Sequence, residues 1–206
     1  MPLIVIDPGH GQFGNKHTTA EGFFEGTQNF KLASMLSSLL RERGFDVVMT
    51  RERVEDDPSL EERGRLAGRL GADMFLSVHS NAPGANAPNY SEIRGSEVFY
   101  SITDPDENAI LALLLNRAVV EAMGTVDRGI KTRRYPGNDS LDYYSVIRNS
   151  ALSGCKRAFL IEHGFHTNPE DSAVLQSDEG LYRIALAECE VLYNFFVNNK
   201  TKGEKL

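Results

Sequence analysis

Leu3-Ile4-Val5-Ile6, running directly into Asp7-Pro8-Gly9-His10, is the stretch that decides the fold. An unbroken apolar run that ends in a Pro-Gly turn matches a strand buried on both faces, since a half-wet strand would alternate apolar and polar positions. Such a strand needs helices above and below it. Downstream, Phe30, Ala33, Leu36, Leu39 and Leu40 recur at helical spacing, and Gly44 follows Arg41 and Arg43 as a stop signal, which predicts a helix over 27–43. Val47–Met49 reads as a second strand, Ser59–Leu70 as a helix opened by a Ser59/Glu62 capping pair, and Met74–Val78 as a third strand. Parallel neighbours need crossover connections, so this βαβαβ alternation predicts an α/β fold: a largely parallel sheet with helices on both faces.

The remainder continues the pattern. A strand is expected at Glu97–Tyr100, a helix through Ile110, Leu114 and Val119, and strands at Tyr143–Ile147 and Ala158–Ile161. A last helix is expected over 180–197, and 124–142 reads as a surface excursion. The 206 residues suit one domain, expected to span 1–198 with a polar tail at 199–206. With 41% hydrophobic and 25% charged residues the chain reads as globular, and a formal charge of −7 argues against nucleic acid as partner. No apolar run reaches the length of a membrane span, and the opening residues lack the basic and apolar regions of a signal peptide. Cys155 and Cys189 form no CxxC pair, and Cys189 falls in helical phase with Leu186 and Leu192 as a packed residue.

His10, His79 and Glu162 each follow the C-terminal end of an expected strand, the edge at which open α/β sheets bind ligands. Glu25 lies in the loop after the first strand, within reach of the same edge. Two imidazoles and a carboxylate around an open position form a recurring catalytic zinc set, and a second carboxylate suits proton transfer to a leaving amine. Singly, each residue has a plainer reading: loop histidines, a solvated Glu25, and a Glu162 that satisfies backbone donors. The wide spacing lacks the specificity of an HExxH motif. Three such residues at equivalent strand ends strengthen the joint reading.

Four segments then resemble, in order, the signatures of the zinc-dependent N-acetylmuramoyl-L-alanine amidases. They are Val5-Ile6-Asp7-Pro8-Gly9-His10-Gly11, Glu25-x-x-x-Asn29, Ser77-Val78-His79-Ser80-Asn81-Ala82 and Ile161-Glu162-His163-Gly164-Phe165-x-x-Asn168-Pro169-Glu170-Asp171. Gly44–Arg51, Leu60–Arg63 and Asp127–Lys131 are also similar to the family. The resemblance implies a single three-layer domain around a mostly parallel, about six-stranded sheet. It implies one Zn2+ on His10, Glu25 and His79, with Glu162 as the catalytic base and then acid. The reaction implied is cleavage of the amide between N-acetylmuramic acid and L-alanine in peptidoglycan, at an extracellular or wall location that a leader outside these residues or another export route would serve, and with a monomer expected. Asn81 is a candidate substrate contact, Arg148 and Asn149 match a family Arg-Asn pair that could either contact substrate or brace the sheet edge, and Arg128 and Lys131 are candidates for stem-peptide carboxylates against a default of solvated charge. His163 departs from the family's apolar residue and is expected to point away from Glu162. His17 and His166 are loop histidines not expected to bind metal, and the stretches 84–93 and 133–144 look long for the family. Two rival readings stay open, a zinc peptidase of wall stem peptides and a non-catalytic wall-binding module.

Overall fold

The computed structural model describes residues 1–15, 23–84 and 86–198; His17 and the 199–206 tail lie outside the described residues. The chain runs β1 (Leu3–Pro8), α1 (Glu25–Glu42), β2 (Asp46–Met49), α2 (Leu60–Arg69), β3 (Met74–Asn81), β4 (Ser96–Tyr100) and α3 (Pro105–Met123). It continues through β5 (Asp127–Lys131), β6 (Arg134–Tyr135), β7 (Asn138–Asp142), α4 (Ser145–Leu152), β8 (Ala158–Phe165), α5 (Pro169–Gln176) and α6 (Asp178–Tyr193), and closes with a π-helical turn at Asn194–Asn198. Six strands pair in the order β2-β1-β3-β8-β4-β5, all parallel except the antiparallel β4/β8 pair, while β6 and β7 form a separate hairpin. Among the described residues no helix is long and apolar enough to cross a membrane.

The expected α/β architecture is present, with one strand misplaced. Tyr143–Ile147 is not a strand: Tyr144 is the extended cap of α4, and Val146, Ile147 and Ser150 are its buried residues. Their i, i+1, i+4 spacing is helical, but the Tyr-Tyr lead-in and β-branched pair mimic a strand when read alone. The sixth strand is β5, inside the supposed surface excursion. It lies at the sheet edge, and its Asp-Arg-Gly-Ile-Lys composition is that of a polar edge strand, without an apolar run to announce it. The stretch 133–144 holds the β6/β7 hairpin and the lead-in to α4.

Alternation along the strands sorts the two faces. Ile4, Ile6, Leu76, Val78, Phe159 and Ile161 pack with side chains of α1, α3 and α6. Val5, Phe75, Phe99 and Leu160 pack with those of α2 and α4. Close approach of these two helices requires glycine, because a Cβ on Gly64 would stand 2.5 Å from the Val146 carbonyl oxygen and one on Gly68 2.2 Å from that of Ser153. Carried two residues further along each strand, the α2/α4 face presents Asp7, Ser77, Glu97 and Glu162, with His79 beyond Ser77.

Two buried arginines, Arg51 and Arg63, brace the turn after β1. Arg63 donates to Asp7 Oδ1 at 2.9 Å, to the carbonyls of Pro8, His10 and Pro58 at 2.7, 3.1 and 2.8 Å, and to Asp57 Oδ1 at 2.9 Å. Arg51 donates to the carbonyls of Pro8, Val54 and Gly26, and its desolvated guanidinium is lowered to about 10. Removing one partner of a buried ion pair leaves the other charge uncompensated, so Arg63→Met is expected to destabilise the fold by about 3–5 kcal/mol. Urea unfolding at neutral pH checks this, and a loss below about 1 kcal/mol would count against the bracing role.

Candidate metal centre

Each candidate ligand is delivered by a different local device. His10 sits just past β1 with φ of +60°, a left-handed conformation that costs a non-glycine residue of order 1 kcal/mol and is sustained only by surrounding contacts. Gly9 makes room for the second imidazole, since a Cβ there would lie 2.2 Å from His79 Cε1. Glu25 is the first residue of α1, where the positive end of the helix favours a carboxylate. His79 stands near the end of β3, where the pairing with β8 shifts register between His79 and Asn81.

The three side chains meet. Glu25 Oε2 lies 3.3 Å from His10 Nε2, and Glu25 Oε1 lies 3.2 Å from His79 Nδ1. One donor atom from each residue falls within 4.8 Å of the others, and the two rings stand edge to face with centroids 5.0 Å apart. The Glu25 carboxylate is fully buried and receives Asn15 Nδ2 at 2.7 Å, Asn29 Nδ2 at 3.2 Å and the Ser80 amide at 3.0 Å. Burial opposes its charge, but hydrogen bonds from His10 and His79 overcome it and hold the carboxyl well below the usual range. Burial also opposes protonation of His10, and the Glu25 hydrogen bond and charge reverse that and raise its pKa.

These distances pass a test of fit. Ligand atoms at about 2.0–2.1 Å from a tetrahedral zinc stand roughly 3.3 Å from one another; each imidazole lies at that distance from one of the two Glu25 oxygens, and one atom from each residue lies within 4.8 Å of the others. The set itself, two imidazoles and one carboxylate on a wet rim, is that of catalytic rather than structural zinc sites. A cavity of about 310 Å³ opens beside it, between Gly9, His10, Pro58, Ser59, Leu60 and His79.

Glu162 is the strand neighbour of His79 on β8, and its Oε2 is shut from solvent without any hydrogen-bond partner. Burial, then the charges of Glu25 and Glu97, raise its pKa well above the ordinary value. A carboxyl that keeps its proton when folded but releases it when unfolded lowers stability progressively as pH climbs from the unfolded pKa to the folded one. Glu162→Gln is therefore expected to raise the melting temperature of the metal-free protein by a few degrees at pH 8 and to leave it unchanged near pH 4. Calorimetry of metal-free protein at both pH values checks this, and an equal effect at both would refute it.

Sequence reasoning overlooked Glu97 and Tyr144. Glu97 faces Glu162 across the antiparallel pair, and its carboxylate is held by Asn81 Nδ2 at 3.0 Å, Arg128 Nε at 3.1 Å and Lys131 Nζ. A buried-strand acid between Ser96 and Val98 was the available signal. Tyr144 packs on Phe99 at 4.7 Å between centroids; burial, and next the Glu162 charge, push its hydroxyl up to about 12, so it remains a donor. Of the three substrate candidates, Asn81 joins this cluster. Arg148 donates to the Asp142 and Tyr143 carbonyls, each at 2.8 Å, and Asn149 to Ser145 O and Oγ, bonds that close α4 and its lead-in. His166 lies behind the cluster, stacked on Phe23 and 2.9 Å from Ser80 Oγ. In the 84–93 loop, the Ser91 carbonyl accepts from Asn168, the residue that caps α5.

Comparison with known proteins identifies the family. The family model for N-acetylmuramoyl-L-alanine amidase matches residues 4–194. The N-acetylmuramoyl-L-alanine amidase LytC of Bacillus subtilis is 32% identical over 174 residues, 84% of this chain but 31% of LytC. The sporulation-specific N-acetylmuramoyl-L-alanine amidase of the same organism is 29% identical over the whole chain and 72% of its own length. The crystal structure of N-acetylmuramoyl-L-alanine amidase from Clostridium difficile 630 superposes with a TM-score of 0.77 at 26% identity, covering 94% of this chain and 96% of that one. With the family model spanning nearly every element and two imidazoles and a carboxylate gathered at the strand ends, the chain belongs to the N-acetylmuramoyl-L-alanine amidase family.

Proposed function

We propose that residues 1–198 form a zinc-dependent catalytic domain that hydrolyses the amide between N-acetylmuramic acid and L-alanine, acting on peptidoglycan at the cell wall. The observation that carries this reading is the convergence of His10, Glu25 and His79 beside the partnerless Glu162 oxygen. His10, Glu25 and His79 would hold one Zn2+, which when bound acts as a Lewis acid, lowering the pKa of a water in its open position.

The chain's own groups divide the remaining work. Asn15, Asn29 and the Ser80 amide keep Glu25 oriented and ionised. Glu162 accepts a proton from the water that attacks the carbonyl carbon, then returns it to the L-alanine nitrogen as the C–N bond breaks. Burial and the charges of Glu25 and Glu97 raise its pKa above the ordinary carboxylate value, which favours its holding a proton for the departing nitrogen. Glu97, on the strand next to Glu162, keeps Asn81, Arg128 and Lys131 gathered there, where they would meet the substrate's polar groups.

Digestion of purified peptidoglycan followed by mass analysis tests the reaction. Intact stem peptides with a free L-alanine amino group and unpeptided glycan are the expected products. Release of single amino acids from the stem would favour the peptidase reading, and undigested wall with zinc bound would favour the non-catalytic one.

A further inference from the structure

His163 follows Glu162 on β8 and so turns to the opposite sheet face, beneath α6, where both it and Glu188 are fully buried. Its Nδ1 lies 2.9 Å from the main-chain carbonyl oxygen of His79, and its Nε2 lies 3.0 Å from Glu188 Oε1. A carbonyl oxygen only accepts, so Nδ1 carries a proton; the Nε2 contact then needs one more proton, shared between ring and carboxyl. Glu188 Oε2 has no partner at all. Val78, Ile161, Ile184, Ala185 and Leu192 fill the rest of this face, and apolar residues of equal volume would stabilise it as well as a buried ionisable pair does.

What the pair adds is a hydrogen bond to the backbone of a candidate ligand. The His79 carbonyl stands where the β3/β8 register shifts. The next residue, Ser80, gives its amide to Glu25 Oε1. Movement of this short segment would therefore displace two of the three candidate ligands together. We infer that His163, steadied by Glu188, is a positioning residue whose ring N–H holds the His79–Ser80 main chain in the orientation that zinc binding needs. The inference rests on the zinc reading above.

Outer partners of metal ligands change affinity by about 10–100-fold when removed, and two double variants isolate the bond. His163→Leu with Glu188→Leu fills the face with apolar groups and deletes the donor. His163→Asn with Glu188→Leu keeps a donor, since Asn Nδ2 stands near the former Nδ1 position. Zinc affinity is read by competition with a chromophoric chelator, and folding by thermal unfolding of the metal-free proteins. The Leu/Leu protein is expected to unfold no earlier than wild type yet bind zinc at least about 10-fold more weakly, with Asn/Leu close to wild type. Wild-type affinity in Leu/Leu, or Asn/Leu as weak as Leu/Leu, overturns the inference. If Leu/Leu does not fold, the His163 Nδ1–H resonance of wild type replaces it: a shift on zinc addition supports the role, and an unmoved signal ends it. A wild-type chain that takes up no zinc would sink the metal reading itself.

Discussion

Glu162→Gln is expected to retain one zinc per chain and the wild-type fold while losing about 10²–10⁴-fold in wall hydrolysis, the range that a positioned proton-transfer group contributes. Glutamine matches the carboxyl in shape but neither takes a proton from water nor returns one to the departing nitrogen. The Oε2 position is shut from solvent and partnerless, so the substitution breaks no hydrogen bond there. A loss of activity with intact metal and raised apo stability would separate a chemical role from a structural one. Purified peptidoglycan turbidity and zinc content measured on the same preparation decide it, and near-wild-type lysis would remove Glu162 as the base.

His79→Ala is expected to lose both metal and activity. Deleting one of three protein ligands acts directly on the coordination set, so the zinc affinity should fall by more than the about 100-fold upper value seen for outer partners. Folding should survive, because Glu25 keeps Asn15, Asn29, the Ser80 amide and His10 as partners. Prolonged dialysis of wild type against a chelator should reproduce the defect, with activity returning on zinc addition. A His79→Ala protein with full zinc occupancy and lysis would dismantle the ligand set proposed above, whereas loss of zinc alone with activity intact would make the metal dispensable for hydrolysis.

The polarity of the individual strands largely governs how legible they are in the sequence. β1, β3 and β8 are rich in apolar residues because helices cover both their faces, and these can be read by eye, while β2 at the sheet edge is announced by its short Val47-Val48-Met49 run. The capping box at Ser59/Glu62 forms as expected, since it depends on residues three apart. β5 and α4 were missed for one shared reason. The edge strand β5 has a single large apolar residue, Ile130, and an eight-residue helix is too short to establish its period, so both are defined by what they pack against. The Asn168-Pro169-Glu170-Asp171 signature proves to be a helix start, with Asn168 capping α5 and buried Asp171 accepting the Gly95 and Phe165 amides.

The identities of the four central residues, the strand-end positions of His10, His79 and Glu162 and the chemistry available to two imidazoles and two carboxylates were all present in the order of amino acids. Their distances were not, nor were the two arginines behind the first turn, the Glu97 carboxylate opposite Glu162, or the link from Glu188 through His163 to His79. Local pattern reports only the period of a strand or helix and the signals at its ends. Pairing register and helix docking bring together residues 54 positions apart, as with Glu25 and His79, and so decide which of many buried polar groups share one cleft.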